Sequence, residues 1–218
     1  MTPKQTKLIN LVLKHEGYYS NTTGDKGGET YMGVSRRSFP RWGGWQIVDK
    51  AKPLKHNQRI NNPDLDTMVR RLYFKSFYEP LHIDEIESIE VSAQLLDHAV
   101  NAGLKPGIRL LQKAINESTN DKLKVDGVLG PQTLEALKNS NQEEVMENMV
   151  FLRNQFYKDI VARKPQQKKF LNSWLNRVSD TTHKVQPSTL NLLYTQAKKE
   201  GWIPKILGII YDLFKNGK

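Results

Sequence analysis

Two carboxyl groups and a hydroxyl follow one another near the start of the chain, in the order Glu16-x8-Asp25-x4-Thr30. Glu16 lies where an amphipathic run gives out, in His15-Glu16-Gly17-Tyr18-Tyr19-Ser20-Asn21, and a polar, glycine-rich stretch follows from Gly24 to Gly33. The C-terminal end of a helix carries partial negative charge, which disfavours a nearby carboxylate. The flanking Tyr18 and Tyr19 withdraw water from the same group. Both effects favour a neutral carboxyl. Such an acid can protonate a leaving sugar oxygen. A facing carboxylate, Asp25, can activate water or stabilise positive charge on the ring, with the Thr30 hydroxyl holding that water. Gly24, Gly27, Gly28 and Gly33 allow a tight backbone and an open approach for a polymer. A plain Asp-Lys-Gly-Gly surface turn would account for the glycines. It gives no reason for Glu16 upstream.

The elements that must position these groups read as mainly α. Thr2 and Pro3 start a first helix, and Leu8, Leu11, Val12 and His15 recur at helical spacing. Gly17 is placed to end it in a left-handed conformation. Residues 17–62 read as loop with a small β-hairpin near residues 22–35. A second helix starts at Asn62-Pro63 and stops at Pro80. Ser88 opens a third, with Ile89, Ala93, Leu96, Ala99 and Val100 as its apolar set and Gly103 as its end. A fourth covers about 106–116. The turn from Val125 to Gly130 runs into a fifth helix with Pro131 at its first position. Long helices are expected over 142–163 and from Pro165 to Val178, with two more helical stretches after 186. Few segments alternate with period two, so a large sheet is not expected.

At 218 residues the chain can bury one core with a smaller appended unit. Hydrophobic residues make up 38% and mean hydropathy is -0.62, which indicates a soluble globular protein. The absence of cysteine excludes disulfides and thiolate chemistry. His15, His56, His82, His98 and His183 show no metal-ligand spacing, so neither metal nor other cofactor is expected. The N-terminus lacks the apolar core of a signal peptide, and no run reaches the roughly 18 apolar residues of a membrane span. The net charge of +10 and pI of about 9.6 concentrate anionic polymers at the surface. Nucleic acid is disfavoured among these, because no helix carries a groove-reading basic pattern.

The first motif resembles a known signature. Glu16-Gly17-Tyr18, Asn21, Asp25-x-Gly27-Gly28-x-Thr30 and Gly33-Val34-Ser35 look like the opening of glycoside hydrolase family 108, the phage and bacterial N-acetylmuramidases of lysozyme-like helical fold. The Glu-x8-Asp spacing also resembles the T4-phage-type lysozymes. Leu72 to Pro80 and Leu96-Asp97-His98-Ala99-Val100-Asn101-Ala102-Gly103 are similar to the family's later motifs. Asp126-Gly127-x-x-Gly130-Pro131-x-Thr133, with Phe151 to Tyr157 and Trp174 to Arg177, resembles the peptidoglycan-binding unit that often follows the catalytic one. Tyr18 stands where the family has a second glycine, Lys26 where it has proline, and Ser35 where it has threonine.

The resemblance implies a catalytic muramidase domain over 1–104, a peptidoglycan-binding helical unit over 105–180 and a C-terminal helical tail over 181–218. It implies cleavage of the β-1,4 bond between N-acetylmuramic acid and N-acetylglucosamine, with Glu16 as the acid and Asp25 and Thr30 handling water. Tyr18, Asn21, Tyr31, Asp97 and Asn101 are the expected substrate contacts. Asp97 and Asn101 share one helix face and read more readily as ties between helices. Trp42, Trp45, Tyr18, Tyr19 and Tyr31 offer faces for sugar rings, while Trp174 reads as core. The apolar, lysine-spaced segment 202–215 either lies on a membrane surface or packs on the core. The expected role is a monomeric phage or prophage endolysin, made in the cytoplasm and acting on the wall after release. The rival is a non-catalytic or secretion-assisting wall-binding protein on the same fold.

Overall fold

The computed structural model describes residues 1–21, 28–120 and 122–181. The expected positions of Asp25 and of segment 202–215 therefore lie outside the described residues, as does the whole tail beyond Thr181.

The chain begins with α1 (Pro3–Leu13), then three two-residue strands, β1 (Tyr19–Ser20), β2 (Thr30–Tyr31) and β3 (Val34–Ser35). These form an antiparallel sheet in the order β1-β2-β3, with Tyr19 opposite Tyr31 and Tyr31 opposite Val34. Next come α2 (Gly44–Lys50), α3 (Pro63–Tyr73), α4 (Ile89–Ala102), α5 (Leu104–Ser118), α6 (Pro131–Lys138), α7 (Gln142–Arg163) and α8 (Leu171–Asp180). The fold is lysozyme-like and mainly helical with a small sheet.

Helix starts follow local chemistry. Thr2 and Gln5 exchange side-chain and backbone hydrogen bonds in a capping box, with Pro3 in the first turn. Asn62 caps α3 at Leu65 N and Ser88 caps α4 at Val91 N. Gly103 at φ +103° ends α4 and lets α5 begin at once. On α5, Gly107 approaches α4 so closely that a β-carbon there would stand 3.0 Å from that of Ala99.

The stretch Val91–Ala99 of α4 is buried on every side, and α1, α5 and α7 pack around it. A helix buried all round sits at the centre of a core. It carries four buried polar side chains, Ser92, Gln94, Asp97 and His98. His98 stands edge-on to Phe156, with ring centroids 5.0 Å apart, and near Tyr157. Burial, helped by the Arg153 charge, pushes its imidazole down to about 3. Between pH 6.5 and about 3 the unfolded chain takes up a proton that the folded chain refuses. Stability is therefore complete above pH 6.5 and falls as the pH drops toward 3, by on the order of 4 kcal/mol from this group. Urea midpoints of wild type and His98→Gln, followed from pH 7.5 to 4, should run parallel above pH 6.5 and converge below it. Parallel curves throughout would remove His98 from the acid lability.

The Asp126-Gly127 turn is organised by one buried amide. Gln112 on α5 donates to Asp126 Oδ1 at 2.9 Å and Val128 O at 3.1 Å, and accepts from Gly127 N at 2.9 Å. Gly127 sits at φ +77° against Lys105 and Arg109, where a side chain would collide. Thr133 closes the motif from the first turn of α6, within 3.3 Å of the same amide.

Several expectations change. The first helix ends at Leu13, and Gly17 is not left-handed: Glu16 N bonds Leu13 O in a tight 3-10-like turn instead. The loop 17–62 contains α2, whose Trp45 is buried and donates to Phe39 O. After α3 the chain widens into a π-helical turn, Phe74–Tyr78, before a 3-10 turn at Glu79–Leu81. Trp174 is only half-buried, stacked on Tyr157 at 5.2 Å.

Candidate active site

Three residues beyond the end of α1, the tight turn aims Glu16 inward, leaving its side chain 19% exposed. The carboxyl lies in a cleft of about 190 Å³ lined also by Gly33, Val34, Phe39, Leu72, Tyr73, Phe77, Val100, Asn101 and Arg177. One wall is the β2–β3 hairpin. Met32 and Gly33, its two turn residues, both have positive φ (45° and 75°), the requirement of a type I′ turn. Met32 is an uncommon residue in that conformation, and two contacts hold it: its N–H donates to Tyr18 O and its carbonyl accepts from Tyr73 OH at 3.0 Å. Gly33 is required twice over. A β-carbon on it would fall 2.2 Å from the Tyr73 hydroxyl and 2.6 Å from Glu16 Oε2.

The opposite wall comes from α3 and the π turn. Tyr73 is buried, and burial first, then the Glu16 charge, raises its phenol well above the usual range. It stays a neutral donor. The π turn brings Phe77 to the cleft together with Leu72 and Tyr73. Such widened turns recur at functional sites.

Behind Glu16 runs a buried charge chain. Arg177 on α8 donates from Nη2 to Glu16 Oε1 at 3.0 Å and from Nε to Asp97 Oδ1 at 2.8 Å. Asp97 Oδ2 accepts from Arg153 Nη2 at 2.5 Å. Arg153, on α7 and fully buried, also donates to Gln94 Oε1 and Thr181 Oγ1. Burial by itself would lower the Arg177 guanidinium; Asp97 and Glu16 outweigh it and the net direction is upward. The same helix reaches the end of α1 again through Asp180, which pairs with Lys14 at 3.0 Å and His15 at 3.4 Å.

The expected site residues separate in space. Glu16 and Asn101 reach the cleft, and Asn101 is fixed by a 2.7 Å bond to Tyr157 OH. Asp97 lies behind the cleft, fully buried with both its oxygens taken by arginines, in the place of the helix tie that its register also suggested. Tyr31 is likewise core, its hydroxyl bonded to both Ile60 O and Ile60 N. Tyr19 and Trp45 are buried too, so none of these three rings is free for a sugar. Phe39 and Phe77 line the cleft instead. Tyr18 lies under Arg59, 5.6 Å from its guanidinium carbon. Asn21 is exposed, and Thr30 stands in β2 opposite Ser20 and Ser35, outside the residues that line the cleft. Arg177, Tyr73 and Phe39 were not anticipated at the site. Arg177 is 161 residues from Glu16, and no local pattern announces such a pairing.

Comparison with known proteins agrees with this geometry. Residues 9–103 match the glycosyl hydrolase 108 family and residues 106–179 match the predicted peptidoglycan domain. No curated protein matches the chain. Among solved structures, SagA of Brucella abortus has the same fold, with a TM-score of 0.58 at 21% identity over 81% of this chain and 90% of that one. A carboxyl lining a cleft within the first matched region, with the second region following directly, supports a glycosidase-type peptidoglycan hydrolase.

Proposed function

We propose that the protein is a muramidase that cuts the β-1,4 bond on the reducing side of N-acetylmuramic acid. The observation that carries this reading is the Glu16 carboxyl, part-buried in a cleft that Gly33 keeps open and that Phe39, Phe77 and Asn101 line. Glu16 gives its proton to the glycosidic oxygen as that bond breaks. Water attacks the anomeric carbon, and Asp25 takes the proton of that water, while Thr30, which does not line the cleft, can act only through the loop that follows β1. The hexosamine leaves with a new 4-hydroxyl, and the muramic acid becomes a new reducing end. A loop carboxylate paired with a hydroxyl suits a bound water better than a covalent sugar, so inversion is the expected course.

Residues 1–104 carry the chemistry in this reading, and 105–180 hold the wall, aided by the net charge of +10 against anionic polymer. Its biological place is that of an endolysin of phage or prophage origin, working on the wall after synthesis in the cytoplasm. Digestion of purified peptidoglycan followed by mass spectrometry of borohydride-reduced fragments tests the bond. Muramitol ends are expected. Glucosaminitol ends, or cleaved peptide stems with intact glycan, would refute the assignment.

A further inference from the structure

We propose that Arg177, carried on the last helix of the peptidoglycan-domain region, is a positioning residue for the acid: it holds Glu16 Oε1 as an acceptor, so that the transferable proton sits on Oε2. The inference rests on the muramidase reading of Glu16 and extends it to a part of the chain outside the matched hydrolase region, which stops at residue 103.

The argument starts from donor inventory. A guanidinium has only donors. The oxygen it faces at 3.0 Å must accept, so a protonated Glu16 carries its hydrogen on the other oxygen. That other oxygen, Oε2, lies beside Gly33, 2.6 Å from where a side chain would begin, and Gly33 lines the cleft. Tyr73 OH cannot compete as a donor there, because its hydrogen is committed to Met32 O at 3.0 Å. The proton is thereby left on the oxygen beside Gly33 and the cleft.

Arg177 can do this only if it is itself held when Glu16 is neutral. Asp97 holds it, and because that one carboxylate is shared by Arg177 and Arg153, the cluster keeps a net positive charge that Glu16 cancels as it ionises. Asp97 takes Nε of Arg177 at 2.8 Å and is in turn fixed by Arg153 at 2.5 Å. Arg177 is 12% exposed, so an uncompensated charge there would be costly. Among the described residues, the other ionisable groups facing this cluster are Tyr73 from α3, His98 from α4 beside Arg153, and His15 with Asp180 across the end of α1. Burial, then Arg177, holds His15 below its ordinary value, so it adds little positive charge near neutral pH.

As the proton leaves, Glu16 becomes a carboxylate and its bond to the Arg177 guanidinium, already charge-assisted, becomes a full ion pair, so the contact strengthens. An interaction that strengthens toward the transition state acts on kcat and not on KM. A residue that only gripped the wall, or only held the fold, would leave a different signature.

Steady-state kinetics on soluble peptidoglycan strands, with Arg177→Met, Arg177→Lys and Glu16→Gln beside wild type, provide the test. Arg177→Met is expected to lower kcat about 100-fold, with KM within about threefold of wild type. Arg177→Lys, which keeps a cation but not the two-point fork, should recover part of that loss. Near-UV circular dichroism checks folding of each variant, and the lysine variant carries the comparison if the methionine variant does not fold. Full kcat in Arg177→Met, a loss confined to KM, or no recovery with lysine would overturn the inference while Glu16→Gln remained inactive. An inactive wild type would overturn the muramidase reading and this inference with it.

Discussion

Glu16→Gln is expected to reduce release of reducing ends from peptidoglycan by about 10²–10⁴-fold, the usual worth of a general acid, with the fold intact. The substitution changes almost nothing but the proton. The glutamine carbonyl can still accept from Arg177 Nη2, as Glu16 Oε1 does at 3.0 Å. Its amide nitrogen takes the place of Oε2 in the space that Gly33 leaves free. An amide cannot protonate a leaving oxygen. The melting profile should stay cooperative, and binding to insoluble wall should be retained, because the residues around the acid are undisturbed. Activity within tenfold of wild type would remove Glu16 from the role assigned to it.

Arg153→Met should have the largest effect on stability, on the order of 3–5 kcal/mol. Arg153 and Asp97 are both fully buried, and their contact joins α7 to α4. Removing the guanidinium leaves Asp97 Oδ2 without its donor and Gln94 Oε1 and Thr181 Oγ1 with one bond fewer. Asp97 keeps Arg177, so the charge is not wholly stranded, which argues for the lower part of that range. Against a typical total of 5–15 kcal/mol the loss is large. Chemical denaturation at pH 7 reads it directly, and a change below about 1 kcal/mol would show that the buried pair contributes little. Because Arg153 fixes Asp97 and Asp97 fixes Arg177, the variant should also lose activity beyond its folded fraction.

Much of this was legible in the chain because it is decided locally. Thr2, Asn62 and Ser88 are capping residues, and the helices start at them. Pro131 sits at a first helical position and α6 begins there. The span of α7, Gln142–Arg163, follows the 3.6-residue periodicity. Glu16 stood out because a carboxyl beyond a helix end and before a glycine-rich loop is an arrangement within one short segment. These features depend on backbone hydrogen bonds and side chains a few residues apart.

What the tertiary structure alone decided concerns which side chain meets which across long separations. Tyr31 and Phe39 are both aromatic residues of one loop region, yet the first is sealed against Ile60 and the second faces the cleft. Alternation along two-residue strands is too short to tell these apart. Asp97 read more readily as a helix tie than as a sugar ligand, and the fold puts two arginines, from α7 and α8, on its two oxygens. Arg177 itself carried no signal, since a surface-spaced arginine on an amphipathic helix differs in nothing local from one that reaches a carboxyl 161 residues away. Sequence by itself placed most of the helices and singled out Glu16 and the turn beside it; packing of α8 against the end of α1 chose the partner of that carboxyl, because burial and long-range charge pairing are properties of the folded chain and not of any window along it.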